Sequence, residues 1–134
     1  MNLESYPGLA IVYGAKGATE ERLGELEREV GAVPHDYKNI LRQRDGLECF
    51  VGGHYLVLWS AEGVPTANRD LNTELYIPGI LLIGSDGANE GYGLRRTDAK
   101  IEYVNVPLVG MKASLAVSFG RTFSEFLMHR QSGH

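Results

Sequence analysis

The chain has 134 residues, 43% of them hydrophobic and 22% charged, with a formal net charge of -4. That size suits a single domain, residues 1–134, able to bury a core unaided, and the composition excludes a disordered chain. The acidic balance argues against nucleic acid, which needs clustered Lys and Arg, and fits a partner with a basic surface.

Cys49 stands alone, so there is no intramolecular disulfide and no zinc site built on several thiolates. No basic stretch followed by an apolar run opens the chain, so we expect no signal peptide and a cytoplasmic protein. The longest apolar stretch is interrupted by Pro78 and is too short to span a bilayer.

In chain order, the cluster Leu9-Ala10-Ile11-Val12-Tyr13 reads as either an edge strand or a docking arm within residues 1–16. Thr19 is placed to cap a helix that has Glu20 and Glu21 in its first turn. Leu23, Leu26 and Val30 form its buried stripe, and Gly31 ends it. Pro34 starts a second helix with Tyr37, Ile40 and Leu41 inward, stopped by Asp45-Gly46. Gly52-Gly53 makes a turn into the strand Tyr55-Leu56-Val57-Leu58-Trp59. Ser60 to Asn72 is polar and weakly patterned, which reads as a loop with at most one helical turn.

The run Ile80 to Ile83, between Pro78-Gly79 and Gly84, reads as a strand buried on both faces at the centre of a sheet. Gly84-Ser85-Asp86-Gly87-Ala88-Asn89 is a turn-forming stretch, and Tyr92 and Leu94 alternate in a strand that returns beside the first. Ile101 to Val106 alternates with period two and stops at Pro107. Leu115, Phe119, Phe123, Phe126 and Leu127 mark a C-terminal helix, weakened by Gly120. These elements predict an α+β domain. Two N-terminal helices and a C-terminal helix pack on a mostly antiparallel central sheet of about four to six strands.

The chemistry-bearing residues are sparse. The glycine-rich turn lacks the lysine and following helix of a phosphate loop, carries Asp86 and Glu90, and feeds a strand. A hairpin in which Asp86 accepts hydrogen bonds from loop amides fits better. Asp86, Asn89 and Glu90 lack the alternating oxygen spacing of a calcium loop. His35, His54, His129 and His134 are scattered, so no metal or other cofactor is expected. Cys49 lies near His54 without any marker of an oxyanion hole, and the default is a small buried thiol. Tyr55 and Trp59 read as edge-strand and core residues. The residues alone point to a binding module or small scaffold, not an enzyme.

Two motifs can be joined. Val33-Pro34-His35-Asp36-Tyr37-Lys38-Asn39-Ile40-Leu41 opens the second helix, and Pro78-Gly79-Ile80-Leu81-Leu82-Ile83-Gly84-Ser85-Asp86-Gly87 precedes Tyr92 and Leu94. With a Phe-rich helix ending Ser124-Glu125-Phe126-Leu127, the chain resembles the SUKH superfamily over roughly residues 19 to 128. It departs from the common pattern at Asp45-Gly46-Leu47 and Gly87-Ala88-Asn89. The superfamily includes fungal regulators of cell-wall glucan synthesis and many bacterial immunity proteins. The resemblance implies a non-enzymatic protein, a monomer or weak homodimer, that neutralises a cognate toxin domain such as a nuclease or deaminase by occlusion. The alternative it implies is a regulatory interaction module without a toxin. Asp86, Asn89, Glu90 and Tyr92 are the expected partner contacts, on an exposed loop held by a rigid strand. Pro34, Tyr37, Pro78, Gly79, Gly84 and Gly87 match the motifs and are expected to be structural.

Overall fold

Seven strands make one antiparallel sheet whose spatial order follows the chain, in a computed structural model that describes residues 1–132. The strands are β1 (Leu9–Gly14), β2 (Leu47–Val51), β3 (His54–Leu58), β4 (Ile80–Ser85), β5 (Glu90–Arg96), β6 (Ile101–Pro107) and β7 (Val117–Gly120). Helices α1 (Glu20–Val30) and α2 (His35–Gln43) lie between β1 and β2 in the chain. Helices α3 (Gly63–Leu71) and α4 (Thr73–Tyr76) lie between β3 and β4, and α5 (Phe123–Gln131) follows β7. The architecture is α+β, as expected, but the sheet exceeds the expected four to six strands.

Two strands account for the excess. Leu47–Val51 is paired residue for residue with β3 through Gly52 and Gly53, whose φ of 56° and 84° suit a two-residue hairpin turn. Val117–Gly120 pairs with β6, so Phe119 belongs to a strand and Leu115 to a short 3-10 turn, not to the C-terminal helix. Gly120, at φ 106°, ends that strand. Thr122 then caps α5 by accepting from the Glu125 amide, while the Glu125 carboxylate accepts from the Thr122 amide. The cluster at residues 9–13 is a true edge strand, hydrogen-bonded to β2. Thr19 accepts from the Arg22 amide and caps α1, which stops at Gly31 (φ 86°).

Side chains alternate across the sheet and form two cores. On the inner face, Leu47, Cys49, Val51, Leu56, Leu58, Leu81, Ile83, Tyr92, Leu94, Tyr103 and Phe119 pack under α1, α2 and α5. On the outer face, Ile80, Leu82, Val104 and Val106 pack with Ile77, and residues 108–116 cover them through Leu108, Met111, Ala113 and Ala116. Ile80 to Ile83 is therefore buried on both sides, at the middle of the sheet.

The segment expected to be a loop, Ser60 to Asn72, contains α3 instead. Strands β3 and β4 pair only at Val57↔Ser85 and Leu58↔Gly84, extended by the Trp59 amide donating to the Ile83 carbonyl. Beyond that point no strand among the described residues pairs with β4 on this side. Asn68 of α3 takes its place: its Oδ1 accepts from the Leu82 amide (2.9 Å) and its Nδ2 donates to the Leu82 carbonyl (2.8 Å). Thr73 donates to the same Oδ1 (3.0 Å), and Nδ2 also reaches the Val64 carbonyl (2.8 Å). A buried backbone pair that would otherwise be orphaned is satisfied by one amide side chain.

Candidate functional site

The β4–β5 loop, Asp86 to Asn89, is held from within and from both sides. Asp86 Oδ1 accepts from the amides of Ala88 (2.8 Å) and Glu90 (3.1 Å), and the Asp86 amide donates to the Glu90 carbonyl (3.1 Å). Ser85 Oγ accepts from the Gly87 amide. On one side Gly87, at φ 82°, lies flat on the Tyr55 ring: a Cβ there would sit 2.7 Å from a ring carbon. On the other, the Leu108 amide donates to the Asn89 carbonyl at 2.7 Å. The loop is thus a rigid exposed tip, with Asn89 exposed and Asp86 half-buried.

Glu90 opens β5 and is half-buried, with one carboxylate oxygen buried and unpaired. Tyr92 corrects the expected placement. It is not on the loop but in β5, 2% exposed, facing the inner core against Phe126 (5.3 Å between centroids) and Phe119 (6.2 Å). The alternation that marked Tyr92 as a strand residue also turns it inward, two positions after Glu90. Burial pushes its hydroxyl up to about 12, despite the Arg130 guanidinium 5.3 Å from the ring centre. Arg130 is itself 8% exposed and donates to the Tyr55 carbonyl (2.9 Å), which ties α5 to β3 behind the loop.

Most of the remaining motif residues sit in the frame of the fold. Pro34 is the N-cap of α2 and Tyr37 is fully buried beneath it. Gly79, at φ 86°, turns the chain into β4 and accepts from the Arg96 amide. A side chain at Gly84 would strike the Val57 carbonyl, so the β3–β4 pairing needs glycine there. Asp36, inside the first motif, accepts from the Tyr103 hydroxyl (2.7 Å) and from the Phe123 amide at the start of α5 (2.6 Å). It joins α2, β6 and α5. Pro78 is exposed just before the turn.

Tyr55 lies on an interior strand, not an edge strand; its ring is tilted against Phe50 (5.4 Å) and its hydroxyl donates to Glu48 (2.7 Å). Trp59 is half-buried and touches both cores. Cys49 is fully buried, and burial pushes its thiol up to about 12, far from a nucleophilic thiolate. His134 lies outside the described residues. Among the described residues, no group of three His, Cys, Asp or Glu is placed to hold a metal ion, and no helix is long and apolar enough to cross a membrane.

A cleft of about 490 Å³ opens between α1, α3 and the start of β4. Its cations are already engaged: Arg69 lies 3.7 Å from Glu29, and Arg96 donates to the Val30 and Ala32 carbonyls at the end of α1. The rigid tip and the sheet beside it remain the better candidate, a surface for recognition by shape and charge.

The profile of the SMI1 / KNR4 family (SUKH-1) matches residues 17–129, from just before α1 through most of α5. No curated protein sequence matches the chain.

Proposed function

The chain belongs to the SMI1 / KNR4 family (SUKH-1), and from that membership we propose that it is a non-enzymatic immunity protein that binds and neutralises a cognate toxin domain. The family contains immunity proteins and SMI1/KNR4-like regulators, and its match over most of the chain is the observation that carries the reading. Neutralisation is by occlusion: the protein covers the toxin's working surface, with a buried patch on the order of 800 Å² per partner. Asp86, Asn89 and Glu90 supply the contacts at the tip, and Tyr92 acts from below by fixing β5 in the core. The rigidity of the tip favours this role, since little ordering entropy is lost on association. The net charge of -4 favours a basic toxin, such as a nuclease, through electrostatic steering. The complex forms in the cytoplasm of the producing cell.

The test uses the purified chain and the C-terminal domain encoded by the neighbouring reading frame. A stoichiometric complex on size exclusion, with the domain's enzymatic activity abolished in step with complex formation, is expected. A domain that stays fully active when saturated with the chain, or that never binds it, would overturn the reading.

A further inference from the structure

The outer side of the sheet is covered over only one half. Residues 108–116 lie on β4 to β6, where Leu82, Val104 and Val106 are fully buried. Over β1 to β3 no segment among the described residues does the same. The outward side chains there are Ala10, Glu48, Phe50, Tyr55 and Val57, joined by Val12 and Tyr13. The pairing of β1 with β2 slips between Ile11 and Tyr13, so a bulge leaves Val12 and Tyr13 both outward, 59% and 62% exposed. Phe50 is 41% exposed. The patch continues into the β4–β5 loop, because Gly87 rests on the Tyr55 ring.

We infer that this outer face of β1 to β3, together with the Asp86–Asn89 tip, is the surface that receives the partner, and that the partner offers a lysine- or arginine-rich protein surface. The inference rests on the toxin-binding reading and names the face and its charge. Charge selects the occupant. The outward positions of these strands hold Glu48 and no Lys or Arg, and the adjoining loop adds Asp86. A second copy packed on the same face would set these carboxylates against their own counterparts, which is repulsive. A basic surface pairs them instead, and its long aliphatic stems can lie along Phe50, Tyr13 and Val12 while the charged heads reach Glu48 and Asp86. Tyr55 already anchors Glu48 through its hydroxyl, so that carboxylate is pre-oriented.

The experiment is titration calorimetry of the toxin domain from the neighbouring reading frame with four proteins. These are the wild type, Tyr13→Ser/Phe50→Ser, Val12→Lys, and an α1 control, Glu21→Ala/Arg28→Ala. The double variant is expected to bind about 30-fold or more weakly, the loss typical of removing interface anchors. Val12→Lys changes only an exposed bulge residue, so it keeps the fold while adding a like charge to the partner's, and it too is expected to weaken binding. The control should bind as the wild type does. Tight binding by both face variants, each shown folded by circular dichroism, would overturn this inference and leave the toxin-binding reading intact. Loss in the α1 control alone would move the interface to the helical side and overturn it equally. Failure of the wild type itself to bind would remove the toxin-binding reading and this inference with it.

Discussion

Replacing Asn68 with leucine should cost this domain a large share of its stability. Leucine shares asparagine's branched heavy-atom skeleton, though it is bulkier, and offers no hydrogen bond to β4. The Leu82 amide and carbonyl, on a residue with no exposure, would both be left unpaired. An unsatisfied buried polar group costs about 1–3 kcal/mol, so two cost roughly 2–6 kcal/mol. Thr73 loses its bond to Oδ1 but keeps a longer one, at 3.4 Å, to the Asn68 carbonyl. The added apolar burial returns about 1–2 kcal/mol. Taken at their midpoints, these figures leave a net loss of about 2.5 kcal/mol, against a total of about 5–15 kcal/mol for a typical domain. Urea unfolding followed by circular dichroism, analysed at constant m, reads this directly. A companion variant separates lost hydrogen bonds from mere shape. Asn68→Asp keeps the acceptor for the Leu82 amide but sets a carboxylate against the Leu82 and Val64 carbonyls, which raises its folded pKa. Its stability should therefore be highest below the unfolded value of about 3.9 and decline as pH rises through the folded one. A loss under about 1 kcal/mol for Asn68→Leu, with unchanged m, would refute the claim that this side chain completes the sheet.

Asp36→Ala strips partners from the buried Tyr103 hydroxyl and from the first amide of α5, and should cost about 2–4 kcal/mol by thermal or chemical unfolding. An effect within error would mean that water replaces both bonds. Acid should destabilise the wild type. The Val33 amide and Lys38 hold Glu27 below the usual carboxylate range. Burial raises Glu102, but Ser118, Arg95 and Lys100 outweigh it and leave that group lowered too. Folded values below unfolded ones mean stability that is present above about pH 4.3 and is lost as pH falls through the folded values. The melting temperature should drop between pH 5 and pH 3, by less in Glu27→Gln; a flat profile would contradict this. At the tip, Asp86→Asn preserves the acceptor for the Ala88 and Glu90 amides and should weaken partner binding through charge alone, chiefly in the association rate. Asp86→Ala should lower both binding and melting temperature, and a fall in stability without any change in affinity would confine Asp86 to a structural role.

The centre of the fold was legible because its signals are local. Four apolar residues between glycines are too few for a helix and read as a strand buried on both faces, and the Asp86 turn carries its own acceptor. The errors fell where a local pattern had two readings. Phe119, Phe123 and Phe126 are spaced as on one helix, yet Phe119 reaches the shared core from a strand and the other two from α5. Leu47–Val51 went unread although Gly52-Gly53 is a hairpin turn, which requires a strand on each side. Helix α3 was hidden by its polar composition, because its inward Asn68 bonds backbone and does not join an apolar stripe. Tyr92 belonged to the right strand but faces the core. The open outer face could not be read at all, since it exists only because residues 108–116 cover β4 to β6 and stop short of β1 to β3.

Growth rescue tests the central claim most directly. The C-terminal domain encoded beside this chain would be expressed in bacteria from an inducible promoter, with and without the chain. The account predicts arrested growth with the domain alone and full growth when the chain is co-expressed and recovered with it in a complex. Arrest that persists despite abundant, folded chain would contradict it.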